Sequence, residues 1–302
     1  MRGKCLIAFL MLCQTHIQKG LAHSIEPEIT PQISHSYGTD ASKLLPRQLA
    51  LVLEIDRYQY WDALQNPIFD ANAVGNILKE VYGYEVWRLA SNPTVDDIIN
   101  AIDSLSKQNL SGPMDQIFVF FAGHGFVDPF SGNGHLIASD SKKGTKHTDV
   151  RSMIQHNYLI NLLNSLSFKH LLLVIDACYS GSIQQATGPV NASQCDFKIP
   201  INWKNMYMAL SNEQYIQRNM QCTTRRYNTS GGKDYKVPDG EKGKHSPFAN
   251  VLINKLNKGD KSEGIITFTE LLPDLSYVNP SPHSGSFGID GQTGDFIFIE
   301  KR

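Results

Sequence analysis

A histidine and a cysteine in this 302-residue chain each stand just past the end of a long apolar run, among glycines. The first run, Ile117-Phe118-Val119-Phe120-Phe121-Ala122, leads into Gly123-His124-Gly125. The second, Leu171-Leu172-Leu173-Val174-Ile175, leads into Asp176-Ala177-Cys178-Tyr179-Ser180-Gly181. Continuous apolar runs rich in β-branched and aromatic residues read as central strands of a parallel sheet covered on both faces. Ligands of open α/β sheets bind at the carboxyl ends of the strands. Neighbouring strands lie about 4.8 Å apart, so adjacency would set imidazole and thiol across one crevice. A cysteine attacks as its thiolate; a nearby histidine takes the proton and later returns it to the leaving amine. Backbone N–H groups of Gly125 and Cys178 are the candidate donors to the oxyanion, and glycine beside the histidine lets a substrate carbonyl approach. Taken singly, Cys178 reads as a core cysteine and His124 as a structural histidine. The joint placement at two glycine-marked strand ends favours a nucleophile with its base.

The rest of the chain supplies the elements that must position this pair. Leu49 to Ile55 reads as a buried strand, Ile68 to Val81 as a helix with an apolar stripe, and Tyr84 to Leu89 as an alternating strand. Thr94 followed by Asp97 is a capping signature for a helix running to Leu105. After His124 the spacing predicts a Gly-rich loop with a short hairpin, then a helix from Val150 to Leu166. Past Cys178 come a short strand at Met206–Leu210, a long polar stretch without periodicity from Gln214 to Lys244, helices at Phe248–Leu256 and Phe268–Tyr277, and a closing strand at Asp295–Ile299. Alternating strands and helices predict an α/β fold, a predominantly parallel sheet sandwiched between helices.

Composition sets outer bounds. The length allows one large α/β domain or two small ones. Hydrophobic residues at 41% and charged residues at 19% suit a globular chain with a sizeable core. A formal net charge of -1 gives no argument for a nucleic-acid partner. Met1-Arg2-Gly3-Lys4 is basic, Cys5 to Cys13 is apolar, and Ala22-His23-Ser24 offers small residues for cleavage, so residues 1–24 read as a secretory signal and the mature chain as secreted or periplasmic. No apolar stretch is long enough to span a bilayer. Residues 25–46 read as a leader or linker, and 47–302 as the domain. Without the signal, Cys178, Cys195 and Cys222 remain. Cys195 and Cys222 either pair in an oxidising compartment or stay as two free thiols.

The chain resembles the caspase-like cysteine peptidases (clan CD), among them the metacaspase and bacterial orthocaspase branch. The resemblance runs from Leu49 to Ile299. It rests on the His124 and Cys178 motifs, roughly fifty residues apart, on Asn66-Pro67 followed by Asp70-Ala71, on Ser246-Pro247-Phe248, and on Gly294-Asp295-Phe296. It implies an endopeptidase acting on protein or peptide substrates. Legumain-like and gingipain-like peptidases share the His-Gly and Cys-x-Ser-Gly pattern, and a catalytically silent caspase-fold scaffold is the rival outside enzymes. Caspases carry Gln where this chain has Asp176, and a basic residue in the stretch matching Leu64–Pro67, where this chain has none. In metacaspase-like enzymes the matching aspartates line the primary specificity pocket; they fall here on Asp70 and Asp176. Two carboxylates there would select Arg or Lys before the scissile bond. Otherwise Asp70 reads as a helix N-terminal charge and Asp176 as a strand-end turn residue. Calcium-dependent metacaspases carry an acidic cluster beyond the histidine. Asp128 and Asp140 are too sparse for the six or more oxygens a hard cation takes, so no cofactor and no metal are expected. Oligomeric state is left open.

Overall fold

The computed structural model describes residues 47–107, 116–143, 149–186, 212–258, 264–291 and 294–301. The chain opens with β1 (Gln48–Glu54), α1 (Pro67–Glu80), β2 (Glu85–Arg88) and α2 (Val95–Ser106). Pro67 stands in the first turn of α1, where its fixed φ suits the helix and its missing N–H removes nothing. At α2 the capping box forms as the sequence predicts: Asp97 N–H donates to Thr94 Oγ1 at 3.2 Å, and Thr94 N–H to Asp97 Oδ2 at 2.9 Å. Next come β3 (Gln116–Ala122), β4 (Gly125–Val127), β5 (Gly134–Leu136), β6 (Ile154–Gln155), α3 (His156–Asn164) and β7 (His170–Asp176). The later elements are α4 (Ile183–Ala186), α5 (Asn212–Asn219), β8 (Thr224–Thr229), α6 (Pro247–Lys258), β9 (Ile265–Thr267), α7 (Phe268–Leu275), β10 (His283–Ser286) and β11 (Ile297–Ile299).

Six strands form one sheet in the order β10-β8-β7-β3-β1-β2, parallel except for β10. The period-two alternation of a strand divides the core. Leu49, Leu51, Leu53, Val119, Phe121, Leu173 and Ile175 face α2 and α3. Ala50, Val52, Phe118, Phe120, Leu172 and Val174 face α1, α6 and α7. Both faces of β1, β3 and β7 are therefore covered, which is why these strands read as unbroken apolar runs. The chain leaves β1 toward β2 on one side and returns to β3 on the other, so strand order reverses between β1 and β3. A crevice opens at such a switch point.

The sequence reading needs four corrections. The helix expected from Val150 begins only at His156: residues 149–152 form a 3-10 turn, and Ile154–Gln155 pairs with β5 as part of a small antiparallel sheet, β4-β5-β6. The strand at the carboxyl end does not close the main sheet but pairs antiparallel with β9. Short strands β9 and β10 were not anticipated. The largest correction concerns residues 214–244, which contain most of α5 and all of β8 rather than one exposed loop. β8 is polar yet buried because its side chains bond to nearby backbone and polar groups. The Arg225 guanidinium donates to the carbonyls of Leu166, Phe168, Lys169 and Thr224, and Thr224 Oγ1 lies 2.8 Å from His170 Nδ1. The strand expected at Met206–Leu210 lies outside the described residues.

Arg225 is 3% exposed in a central strand, whereas Lys233, Lys236 and Lys242 are exposed on the segment that follows. Limited trypsin digestion of the native protein is therefore expected to cut after one of those lysines and to spare Arg225. Arg225→Met is expected to lower unfolding free energy by about 3 kcal/mol in urea titrations, since it strands buried carbonyls. Early cleavage after Arg225, or an unchanged midpoint, would contradict this placement.

Candidate active site

The three central strands end level with one another: Glu54 pairs with Ala122, and Ala122 with Asp176. Gly123 N–H donates to Asp176 O at 3.1 Å, carrying the pairing one residue past β3. His124 and Cys178 thus each lie two residues beyond paired positions on neighbouring strands, and both line one cleft. Gly125 follows with its α-carbon against the backbone of Cys178; a Cβ there would meet the Cys178 carbonyl oxygen at 2.0 Å. A rigid backbone atom cannot yield that much, so only glycine fits. The two residues expected to offer oxyanion donors are accordingly in close backbone approach.

The loop after β1 holds the imidazole. His124 Nε2 lies 2.8 Å from the carbonyl oxygen of Asp62. A carbonyl only accepts, so Nε2 carries the hydrogen and Nδ1 is left as the basic nitrogen of the neutral ring. Tyr58 and Trp61 flank the ring, with centroids at 4.8 and 5.9 Å. Burial pushes the imidazole pKa down, and the Asp62 carbonyl acts against that. Nothing in the local pattern of residues 56–62 marked them for this role. The signal available was their position after the first strand, beside the switch point.

Cys178 is half-buried and is a free thiol. Burial pushes its pKa up, opposed by the Val237 peptide and the Lys236 charge. Val237 N–H donates to Sγ at 3.4 Å, and the thiol lies 3.7 Å from Val237 O. The next residue, Tyr179, is left-handed at φ 57°, and its N–H donates to Tyr235 O at 3.1 Å. Residues 235–237 therefore run along the segment Cys178–Tyr179. Burial thus favours the neutral form of both groups.

The same cleft is lined by Asp70, Asp176 and Asp239. Asp176 ends β7 and is buried; burial lifts its pKa to about 6, partly offset by hydroxyl donors. One donor is Ser246, whose hydroxyl lies 2.6 Å from Asp176 Oδ2 and whose Oγ accepts the Ala249 N–H at the start of α6. A single N-cap residue thus serves both helix and carboxylate. Asp70, also buried, meets His245 Nδ1 at 2.6 Å and the Ser246 N–H at 3.2 Å. Burial raises its pKa, and the His245 contact opposes the rise. Asp70 stands in the first turn of α1, but its carboxyl turns away from the helix end toward residues 245–246.

Asp239 was not anticipated from the sequence. Its carboxylate accepts N–H groups of Gln65 (2.5 Å) and Asn66 (3.3 Å). Asn66, at the N-terminal end of α1, makes no capping bond. Its side chain donates to Asp239 O and Glu241 O and accepts from Gly243. Nothing in the sequence marks Asp239, because its partners at 65–66 lie far away along the chain.

Of the two acids considered for calcium, Asp128 accepts from Phe130 N–H and the Ser131 hydroxyl, and Asp140 accepts from Val95 N–H. Among the described residues no group of three or more His, Cys, Asp or Glu is arranged to hold a metal. Nor is any described helix long and apolar enough to cross a membrane. Cys222 is disulfide-bonded, against the alternative of two free thiols; Cys195 lies outside the described residues, as do residues 1–46.

Residues 47–278 match the family model of the caspase domain. The match covers most of the chain, and with this α/β sheet it makes the protein a member of the caspase family of cysteine-type peptidases, whose substrates are proteins. No curated protein matches the chain.

Asp176 carries a pH signature. Its pKa is raised on folding from 3.8 to about 6, so the folded state holds an extra proton between those values. The resulting stabilisation is complete below the lower pKa and is lost as pH rises through the upper one. Asp176→Asn lacks this dependence. Urea unfolding of both proteins should show the variant gaining on wild type by roughly 1 kcal/mol per pH unit across that window. A pH-independent difference would mean that Asp176 titrates normally.

Proposed function

We propose that this protein is an exported endopeptidase that cleaves after Arg or Lys, with Cys178 as nucleophile and His124 as general base. The observation that carries the reading is that thiol, imidazole and two buried aspartates line a single cleft at the ends of adjacent strands. His124 Nδ1 takes the thiol proton as Sγ attacks the scissile carbonyl carbon. The carbonyl oxygen then gains charge, and the N–H groups of Gly125 and Cys178 receive it. The imidazolium gives its proton to the leaving amine, and water, deprotonated by the same nitrogen, releases the acyl group. The substrate carbonyl takes the place that the Val237 peptide holds beside Sγ.

Asp70 and Asp176 support basic selectivity. A guanidinium offers paired donors to carboxylates, and a substrate carboxylate would be a like-charge, desolvated neighbour. Acid at position 176 and no basic residue at 64–67 favour the metacaspase and orthocaspase branch. The scattered, already engaged Asp128 and Asp140 favour activity without calcium. Export rests on the basic-then-apolar amino terminus, and a disulfide at Cys222 suits an oxidising compartment.

On a fluorogenic peptide panel, cleavage after Arg or Lys is expected to exceed cleavage after Asp by orders of magnitude. Cys178→Ala and His124→Ala should each remove several orders of magnitude in rate while staying folded. For Arg substrates kcat/KM should fall as pH drops through about 6, where Asp176 takes up its proton, and Asp176→Asn should lower it at neutral pH. Undiminished turnover by Cys178→Ala would falsify the mechanism. Inactivity of the mature wild type on every peptide would favour the scaffold reading, and a preference for Asp or Asn would remove the specificity assignment.

A further inference from the structure

We propose that Tyr58 is the positioning residue of His124, acting through a hydroxyl inserted between β1 and β3. The inference rests on the reading of His124 as the base. Parallel strands bond in a regular alternation: a residue donates to one neighbour's carbonyl, and its own carbonyl accepts from the residue two further along. Beyond β1 this pattern begins normally, with Ile55 N–H donating to Ala122 O at 3.0 Å. The next rung would join His124 N–H to Ile55 O. Instead the Tyr58 hydroxyl stands in it, donating to Ile55 O at 2.7 Å and accepting from His124 N–H at 2.8 Å. One oxygen atom bridges two backbone groups that would otherwise bond directly. Its only proton goes to Ile55 O, so its lone pairs must face His124.

The consequence is directional. β1 lies on one side of β3 and β7, which bears Cys178, on the other. A hydroxyl in the rung props the chain at His124 away from β1 and so toward the thiol side. Three further contacts fix the prop. The Tyr58 ring packs against the core beside β1 and β3 and against the His124 ring at 4.8 Å. Gly123 leaves the hydroxyl its room, since a Cβ there would stand only 2.8 Å from it. The loop carrying Tyr58 is closed by Leu64 N–H donating to Asp56 O (2.9 Å) and tied down by Gln59 N–H donating to Ser139 O (2.8 Å).

Tyr58→Phe keeps the ring and removes the prop. His124 N–H and Ile55 O are then unpaired, and the direct rung that satisfies both draws His124 toward β1. Peptide hydrolysis by the full mature chain should lose roughly 10- to 100-fold in kcat, the scale expected of a sub-ångström to 1 Å misplacement, with KM little changed. A purely structural role would lower the melting temperature and leave kcat per folded molecule alone, so a second readout is required. The rate of Cys178 alkylation by iodoacetamide, followed against pH, has a limb that His124→Ala abolishes if imidazole activates the thiol. Tyr58→Phe should shift or flatten that limb. Gly123→Ala, which crowds the hydroxyl instead of deleting it, should act in the same direction and serves if Tyr58→Phe does not fold. Unchanged kcat and an unchanged alkylation profile in both variants would overturn the proposal, as would a loss confined to thermal stability. Wild type whose alkylation profile does not respond to His124→Ala would instead refute the dyad, and the positioning role with it.

Discussion

The level ending of three parallel strands is the constraint on which the site depends. Because Glu54, Ala122 and Asp176 share one register, the residues just past them emerge at the same height from adjacent strands. Register in a buried parallel sheet is hard to shift. A one-residue slip would turn Phe118 and Phe120 toward the layer that now receives Val119 and Phe121, and empty the other layer of its core. The packing that stabilises the sheet therefore also fixes the positions of thiol and imidazole. Little further ordering is needed at the strand ends, which frees the loops above them to serve recognition.

Those loops are tied to one another more than to the sheet. Asn66 donates to Asp239 through both its backbone N–H and its side-chain amide, Ser246 joins α6 to Asp176, and His245 joins the same segment to Asp70. Two buried carboxylates in a small cleft would repel each other and lose solvation together. Each is instead given a donor: a hydroxyl for Asp176, and an imidazole with a backbone N–H for Asp70. Without ligand, Asp176 eases the remaining cost by holding its proton more tightly. Under the proposed selectivity, a bound guanidinium would reverse this by supplying the charge the carboxylates lack.

β8 shows where pattern reading fails. Thr224-Arg225-Arg226-Tyr227-Asn228-Thr229 has neither apolar continuity nor a clean alternation, and on its face suits a solvated loop. It lies beside β7 because Thr224, Arg225, Arg226 and Thr229 find nearby partners. The Arg225 guanidinium alone serves three carbonyls around the turn that precedes β7, and that of its neighbour Thr224. A buried arginine whose acceptors come mostly from residues 166–169 carries no mark in the sequence, since those partners lie far away along the chain. Asn228 has a related lesson: it heads a glycosylation sequon, yet it is buried in the same strand and unreachable in the folded protein.

The sequence by itself determined the central strands, the helices with strong caps and the two residues at the strand ends. These depend on local periodicity, capping boxes and glycine placement, all of which are written within a few residues of where they act. It also pointed to Asp70 and Asp176, through resemblance rather than chemistry. Only the tertiary structure decided what surrounds them: the Asp62 carbonyl that fixes the imidazole tautomer, the Tyr58 hydroxyl in the rung beside it, the Val237 peptide against the thiol, and Asp239 at the rim of the cleft. Several of these contacts are made by backbone groups, which every residue possesses and no residue type announces. All of them join segments that become neighbours only when the sheet has formed.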